Sequence, residues 1–548
     1  MQRTSIDRPC KQSAEDTHAD KVKPIIKSSI LAQIPGLRLT LVLTIIEVIL
    51  SKNLSPNVIH RFAISVIPAG QRLYLLSLIL AFSGVLISPV TWADWRAANQ
   101  NIIHRGIQAV LMCNGLFTSH RSLAQVFDQE LAYLTPPRFE PPLGHAGAGP
   151  YSINHELKSV TVGTNAPATS VSAVFSDGFG CVVLPPGVLP TIEVKNNLPR
   201  HPMADKPLEA SHRPWPKGDL TTPSVPDQVD NTALARAASW SFQRPSAEQV
   251  TISLLVVYQG QLILEQYAEG FDQTTRTRTW STAKSIAVTL LGMLVDAGEL
   301  TLDSPLAVDW LPEIDSPELD PRNKISLRHV LNMSSGLDPV DSLGQEYISG
   351  SGLAYWAGDS TAQGARRRGL VRQPGSYWDY ENYDTLLAIY AFRKLLGSDE
   401  NYWSFPRQRL LDPLGMASTL LSVDRFGDFV LSSQVYTNAR DLARFGLLYL
   451  NNGVWSGQRL ISEAWIDFIR SPAPAATNRG GRYGGHWWLV PKSRTDIPKD
   501  AYATAGNRGQ FVIVVPSEDL VIVRRGLDYG RQGFDKWDLL REVLKAFL

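Results

Sequence analysis

Apolar and polar positions change their spacing several times along the chain, and each change predicts an element. The runs TISLLVVY and QLILEQYA, rich in β-branched and aromatic residues, flank Gln259-Gly260 and predict a hairpin over 251–268. The stretch SIAVTLLGMLV carries no charge before Asp296, which predicts a helix buried on most faces from Ser281 to about Ala297, stopped by Gly298. From roughly 300 to 475 the pattern is mostly helical with Gly and Pro punctuation. GQFVIVV and LVIVRRG around Pro-Ser-Glu-Asp predict a closing hairpin over 510–526, and Lys536–Leu548 reads as an amphipathic helix. Hairpins at both ends with helices between them predict an α+β fold over 235–548: one antiparallel sheet flanked by terminal helices, plus a mostly helical subdomain.

Upstream, residues 94–183 read as a small N-terminal module, helical around Ile102–Met112 and Ser122–Tyr133 and strand-like over 159–183. The G-H-A-G-A-G at 144–149 has neither the preceding strand nor the following helix of a dinucleotide loop and reads as a flexible connector. Residues 184–234 are crowded with proline and polar residues, a linker or extended wrap without its own core. Residues 1–93 differ again, with seven Lys/Arg against one acid, Glu47, between Lys21 and Arg72. Leu73–Ala93 then carries no charge at all. This is the pattern of a secretory signal cleaved after Ala93, or of an uncleaved membrane anchor, so the protein is expected to be exported, either periplasmic or membrane-anchored. Leu39–Leu50 is a weaker candidate for a second span.

Composition narrows the function classes. A hydrophobic content of 44% and charged content of 19% describe a globular chain, and a net charge of +1 gives no electrostatic reason for nucleic-acid binding. There is no P-loop, no H-E-x-x-H and no C-x-x-C, so neither a cofactor nor a metal is expected. Of the three cysteines, Cys10 lies in the leader, and in an exported chain Cys113 and Cys181 favour a disulfide over two buried thiols.

The chemistry concentrates in W-S-T-A-K-S at 280–285. A lysine at the head of a buried helix is expensive to desolvate. Three residues apart on a helix, Ser281 and Lys284 share a face, and an apolar setting disfavours the charged amine and makes it a base near neutral pH. The bland alternative is a solvated Ser and Lys on an ordinary helix. A nucleophile paired with lysine needs a further group to move a proton to the leaving atom. Y-x-N occurs at Tyr380, Tyr436 and Tyr449, and only Tyr380 follows a Pro-Gly loop and precedes an apolar helix, with Asn382 two residues on. Thr504-Ala-Gly506-Asn507 places small residues on a sheet edge, where the Asn507 N–H would complete an oxyanion hole with that of Ser281, or where there is only a glycine-rich turn.

S-x-x-K on a central helix, then Y-x-N, then a small-residue strand before the final hairpin resembles the serine β-lactamase and penicillin-binding protein superfamily. The resemblance is strongest to its class C-like branch, with esterases, D-aminopeptidase-type enzymes and 6-aminohexanoate-dimer hydrolases. It extends over 235–548 and is supported by ISLRHVLNMSSGL, PGSYWDYEN and NARDLARFGLLYLNNGVWSGQRLIS. The resemblance implies a β-lactamase/transpeptidase-like fold, Ser281 as acylated nucleophile, Lys284 as its activator and Tyr380 as general acid/base. Asn382 would orient Lys284 and a substrate amide, and Gly506 and Asn507 would serve substrate binding and the oxyanion. It implies a serine hydrolase acting on a small ester or linear amide. The alternatives are a β-lactamase or D-Ala-D-Ala peptidase, and a silent peptidoglycan- or peptide-binding module. The chain departs from the family where Thr504 replaces the lysine of K-T-G, and Arg508 is close enough in sequence to substitute for it. No G-x-S-x-G elbow supports a Ser–His–Asp site, so His329 and His486 read as ordinary polar residues. Tyr355, Trp356, Trp487 and Trp488 read either as an apolar pocket wall or as packed core.

Overall fold

Asp94 accepts hydrogen bonds from the backbone of Arg96 and Ala97 and so starts helix α1, Trp95–Phe117, at the first residue that the computed structural model describes. The described residues are 94–131, 150–201, 212–221, 225–479 and 481–547. The leader with Leu39–Leu50, Leu73–Ala93 and Cys10, and the connector at 144–149, lie outside them. Among the described residues no helix is long and apolar enough to cross a membrane.

Helix α1 packs on a four-stranded antiparallel sheet made of β1 (Tyr151–Asn154), β2 (Ser159–Val162), β3 (Val171–Ser176) and β4 (Gly180–Val183), in that order. A disulfide between Cys113 on α1 and Cys181 on β4 joins the two layers. On its other side α1 presses so close to the main body that a Cβ on Gly106 would lie 1.6 Å from the Trp356 carbonyl oxygen. The described residues accordingly fall in one compact unit, Ala93–Leu548.

Asp230 caps α2 (Asn231–Phe242), which thus begins inside the proline-rich segment. Strands β5 (Thr251–Tyr258) and β6 (Gln261–Tyr267) form the first hairpin. Its two turn residues, Gln259 and Gly260, both take positive φ (49° and 76°), the backbone that a two-residue right-twisted hairpin needs. Next come α3 (Ala283–Asp296), α4 (Asn382–Leu396) and α5 (Ala439–Leu450). The chain closes with β7 (Trp488–Leu489), β8 (Tyr502–Gly506), β9 (Gln510–Val515), β10 (Leu520–Gly526) and α6 (Lys536–Leu544). The strand order is β7-β8-β9-β10-β5-β6, antiparallel throughout, so β10 from the C-terminal end pairs with β5 from the start and the two hairpins close one sheet.

The period of two along the strands sorts their side chains between two cores. Leu254, Val256, Ile513 and Ile522 point outward, where α2 and α6 cover them. Leu255, Val257, Val512 and Val521 point inward beneath α3 and α5. On α5, a Cβ on Gly446 would lie 2.5 Å from Val521, so this helix sits directly on the sheet. The helix expected from Ser281 differs at its start: Trp280–Thr282 is a single 3-10 turn, with Trp280 at φ 50°, and the α-helix begins at Ala283. Every residue of α3 from Ala283 to Leu294 is buried, and Gly298 supplies the positive φ after its last turn.

The disulfide generates the first prediction. It closes a 68-residue separation, for which the chain-entropy model gives about 4 kcal/mol of stabilisation. Cys113→Ser should lower the unfolding free energy in urea by about that amount, and intact mass should show no free thiol at these positions without reductant. Equal urea midpoints for wild type and variant would contradict it.

Candidate active site

Lys284 is only 1% exposed, although it stands on the first turn of α3. Three groups surround its amine: Ser281 Oγ at 3.2 Å, Asn382 Oδ1 at 2.7 Å and the Ser432 carbonyl oxygen at 2.8 Å. They come from three separate stretches of chain, so the lysine is a meeting point of the fold. Burial pushes its pKa down from 10.5 to about 7, the carboxylates of Glu346, Asp341 and Glu381 pull it back up, and Arg278 lowers it further. Near neutral pH a large fraction of the amine is therefore unprotonated and able to take the Ser281 proton.

Each partner is held in turn. Asn382 opens α4, and its Nδ2 donates to Asp341 Oδ2 (2.9 Å) and Ser351 Oγ (3.0 Å), which fixes the amide so that its oxygen faces Lys284. With both N–H groups engaged in this way, the Asn382 side chain acts toward the lysine. The Ser432 hydroxyl is tied to the Tyr355 hydroxyl. Arg278 donates to the Ser433 carbonyl and hydroxyl oxygens (3.1 and 2.6 Å) and stacks between Trp280 and Trp356, 4.1 and 4.2 Å from their ring centres.

Tyr380 stands just before α4 on the loop that follows Gly375, which takes φ 80°. The loop is docked by Gly375 N–H to Ser334 O (2.7 Å) and Asp379 N–H to Met333 O (2.9 Å). The Lys284 nitrogen lies 5.0 Å from the Tyr380 ring centre, and the phenol shares a hydrogen bond with Ser281. Burial drives the phenol pKa well up, with that hydrogen bond opposing it, so Tyr380 stays protonated at neutral pH. The competing Y-x-N tyrosines are packing residues: Tyr436 is buried in strand 435–437, and Tyr449 is buried on α5 with its hydroxyl 2.6 Å from Thr289 Oγ1.

Ser281, Tyr380, Asn382 and Asn507 line one cavity of about 540 Å³, a size suited to a small-molecule substrate. Gly506, expected to serve substrate binding, is not among the residues that line it: a Cβ there would come within 2.1 Å of the Thr279 carbonyl, so the glycine lets β8 approach the chain leading to Ser281. Thr504 is fully buried and its hydroxyl faces Thr282 Oγ1 (3.1 Å) and the Val512 N–H (3.0 Å).

One expectation needs correction, and one choice left open by the sequence is decided. Arg508 does not reach the cavity; its guanidinium is buried on the far side of the turn against Glu130, Gln129 and the backbone at 527–528. The apolar wall is not formed by Tyr355, Trp356, Trp487 or Trp488. The first three are fully packed core, and Trp488 lies behind Tyr380 with ring centres 5.9 Å apart. Besides Tyr380, the aromatic residues that do line the cavity are Trp280, Tyr377 and Trp378.

The sequence pattern also missed the charges at the mouth. Asp341, Glu346 and Asp379 line the cavity together with Arg372, which is paired with Asp379. They sit on irregular loops, where no periodicity marks them. His486 is buried behind the lysine, its Nε2 3.0 Å from Thr385 Oγ1, and burial together with the Lys284 charge pushes its pKa down to about 3. His329 pairs with the Ser326 cap of a short helix. Among the described residues no group of three His, Cys, Asp or Glu side chains could hold a metal ion.

Comparison with known proteins identifies the family. The Beta-lactamase family model matches residues 242–525. The 6-aminohexanoate-dimer hydrolase of Paenarthrobacter ureafaciens is 25% identical over 356 residues, covering 59% of this chain and 87% of that protein. Among solved structures, a family VIII carboxylesterase aligns with TM-score 0.46 at 15% identity, covering 60% of this chain and 99% of its own. A D-stereospecific amidohydrolase from Streptomyces sp. aligns with TM-score 0.42 at 16% identity, covering 58% and 98%.

The buried lysine sets a pH dependence. Its neutral form appears as pH rises through about 7, so labelling of Ser281 by a fluorophosphonate should rise with a midpoint near that pH and fall by several orders of magnitude in Lys284→Ala. Stability follows the same group. Between about 7 and 10.5 the unfolded chain holds this proton and the folded chain does not, so the lysine's contribution to stability increases with pH across that window. A flat labelling profile from pH 5 to 9, or Lys284→Ala labelling at more than a tenth of the wild-type rate, would refute the assignment.

Proposed function

Because the chain belongs to the beta-lactamase family of hydrolases, we propose that it is a serine hydrolase that cleaves small carboxylic esters or linear amides through an acyl-enzyme on Ser281. The observation that carries this reading is the Lys284 amine, buried, with a pKa near neutrality and 3.2 Å from the Ser281 hydroxyl.

Lys284 takes the Ser281 proton as Oγ attacks the substrate carbonyl carbon. The carbonyl oxygen gathers negative charge facing the backbone N–H groups of Ser281 and Asn507, each such donor being worth about 10²–10³ in rate. Tyr380, protonated and hydrogen-bonded to Ser281, delivers a proton to the leaving oxygen or nitrogen as its bond to the carbonyl carbon breaks. Water then attacks the acyl carbon, its proton passes to Tyr380 or Lys284, and Ser281 is released.

The cavity charges bear on the substrate class. Asp341, Glu346 and Asp379 outweigh Arg372 at the mouth, while Thr504 and Arg508 are turned away from it. An anionic substrate would meet a like-charged entrance, whereas a neutral or amine-bearing one would not. The relative named for the 6-aminohexanoate dimer supports linear amides, and a penicillin or cephalosporin, which carries a carboxylate, fits this charge pattern less well. The uncharged stretch Leu73–Ala93 supports an exported enzyme, periplasmic or membrane-anchored.

The test is a panel of p-nitrophenyl esters, linear amides and a chromogenic cephalosporin. Short-chain esters should be turned over measurably and the cephalosporin weakly or not at all. Ser281→Ala should abolish turnover, and Tyr380→Phe should cost about 10²–10⁴, the worth of general acid–base help. A cephalosporin kcat/KM above that of every ester and amide would overturn the substrate assignment.

A further inference from the structure

The turn that carries Asn507 is gripped by residues that lie outside the family-matched region 242–525. Arg508 follows Asn507 directly, takes φ 60°, and has a side chain with no exposed surface. Its Nη1 donates to the Glu130 carbonyl oxygen (2.9 Å) and lies 3.3 Å from Glu130 Oε2, and its Nη2 donates to the Gln129 carbonyl oxygen (2.7 Å). The remaining donors reach the carbonyl oxygens of Leu527 (2.9 Å) and Asp528 (3.1 Å). Glu130 also accepts from Arg121 Nη1 at 2.7 Å, so one carboxylate is shared by two buried guanidinium groups. Glu130 ends the short helical stretch of the N-terminal module, a π turn over Val126–Glu130, and stands 378 residues from Arg508 in sequence.

The far side of the turn has little slack. A Cβ on Gly509 would lie 1.7 Å from Arg524 Nη1, and Gly506 is pressed against the Thr279 carbonyl. The Asn507 side chain accepts from the Arg508 N–H at 2.9 Å, so the conformation at Arg508 and the position of Asn507 are set together.

We propose that Arg508 and Glu130 form a positioning pair through which the N-terminal module clamps the Asn507 turn against Ser281, making the module a working part of the active site. This rests on the Ser281 hydrolase reading. A planar fork of five donors matches the carbonyl and carboxylate groups around it, and a lysine cannot satisfy the same set. Displacing a catalytic donor by about 1 Å costs up to about 10² in rate. The clamp is therefore expected to act on turnover more than on ground-state binding, for which most of the cavity lining lies elsewhere.

The experiment compares full-length wild type with Arg508→Lys, which keeps the positive charge but loses the five-donor fork, and Glu130→Gln, which keeps the side chain's size and one oxygen acceptor; both are close enough in volume to favour retention of the fold. The readouts are kcat for a p-nitrophenyl ester per fluorophosphonate-titrated site, KM, and Ki for an arylboronic acid that mimics the tetrahedral adduct. Arg508→Lys should lower kcat about 10- to 100-fold with KM within about twofold, and raise the boronate Ki by the same factor as the loss in kcat. Glu130→Gln should move both in the same direction by a smaller factor. A merely structural contact would reduce the titrated fraction and the melting temperature but leave kcat per site and the boronate Ki unchanged. Folded variants that both keep kcat and Ki within about twofold of wild type would overturn the clamp alone. Wild-type protein that neither turns over any ester nor reacts with the fluorophosphonate would overturn the hydrolase reading and the clamp with it.

Discussion

A lysine amine kept out of water at the head of α3 is the constraint around which this protein is arranged. An isolated ammonium in an apolar interior is strongly disfavoured, and it survives there only with partners on every side. Here those partners are one hydroxyl, one side-chain amide oxygen and one backbone carbonyl, contributed by positions 281, 382 and 432. Asn382 presents its oxygen because Asp341 and Ser351 hold its nitrogen, and the backbone at 432–433 is held by Arg278. The demands of one nitrogen thus propagate through two shells of polar groups into loops that have no regular structure of their own.

The sheet answers the same constraint from below. Ser281 follows the short strand Thr277–Arg278, whose backbone carbonyls are fixed by Arg525 on β10, with Nη2 at 2.8 Å from the oxygen of Thr277 and 3.2 Å from that of Arg278. Arg525 is itself buried, which pushes its pKa down to about 9, and its remaining donors reach Gln510 and the Thr437 carbonyl. The segment that carries Ser281 is therefore seated on the last strand of the chain, while β8 approaches it closely only because position 506 has no side chain. A site built in this way draws its geometry from the closure of the sheet by the two ends of the domain, where β10 pairs with β5.

How much of this was legible in the sequence follows from which signals have a period. The hairpins at 251–268 and 510–526 and the buried helix expected from Ser281 are runs whose apolar spacing matches one backbone geometry; both hairpins form as read, and the helix starts two residues late, at Ala283, after the 3-10 turn Trp280–Thr282. Ser281, Lys284 and Tyr380 were visible because the spacing S-x-x-K and a loop-then-helix context place chemistry at defined points, and they meet in space. Asp341, Glu346, Arg372 and Ser432 were not visible. Each sits on an irregular segment whose path is set by tertiary contacts, and an acid on such a loop looks like any solvated acid. The direction of Arg508 is hidden from the sequence for a related reason. Proximity in sequence to the Thr504 position said nothing of direction, and the positive φ at 508 accompanies a side chain on the opposite side of the turn, toward a carboxylate nearly four hundred residues away. The aromatic residues followed the more common rule, since a large ring in a loop beside a core usually joins that core.

The carboxylates at the cavity join two properties that are usually discussed separately. Burial alone would drive the Lys284 amine further below neutrality, and Glu346, Asp341 and Glu381 counter it, so these acids set the strength of the base. Glu346 and Asp341 also face the space a substrate must enter, so they set the sign of the field it meets. One set of charges cannot be tuned for the first purpose without altering the second. Replacing Glu346 with a cation to welcome a substrate carboxylate would remove the largest of the charge contributions that hold the lysine pKa up and would add a repulsive one, and the amine would weaken as a base while the pocket became more hospitable to anions. Conversely, a cavity that keeps its acids keeps the Lys284 pKa near neutrality and, under the proposed hydrolase reading, favours neutral or cationic acyl donors. Under the proposed hydrolase reading, the strength of the base and the substrate charge that the cavity tolerates are one electrostatic choice, made by the loops that meet at the buried lysine.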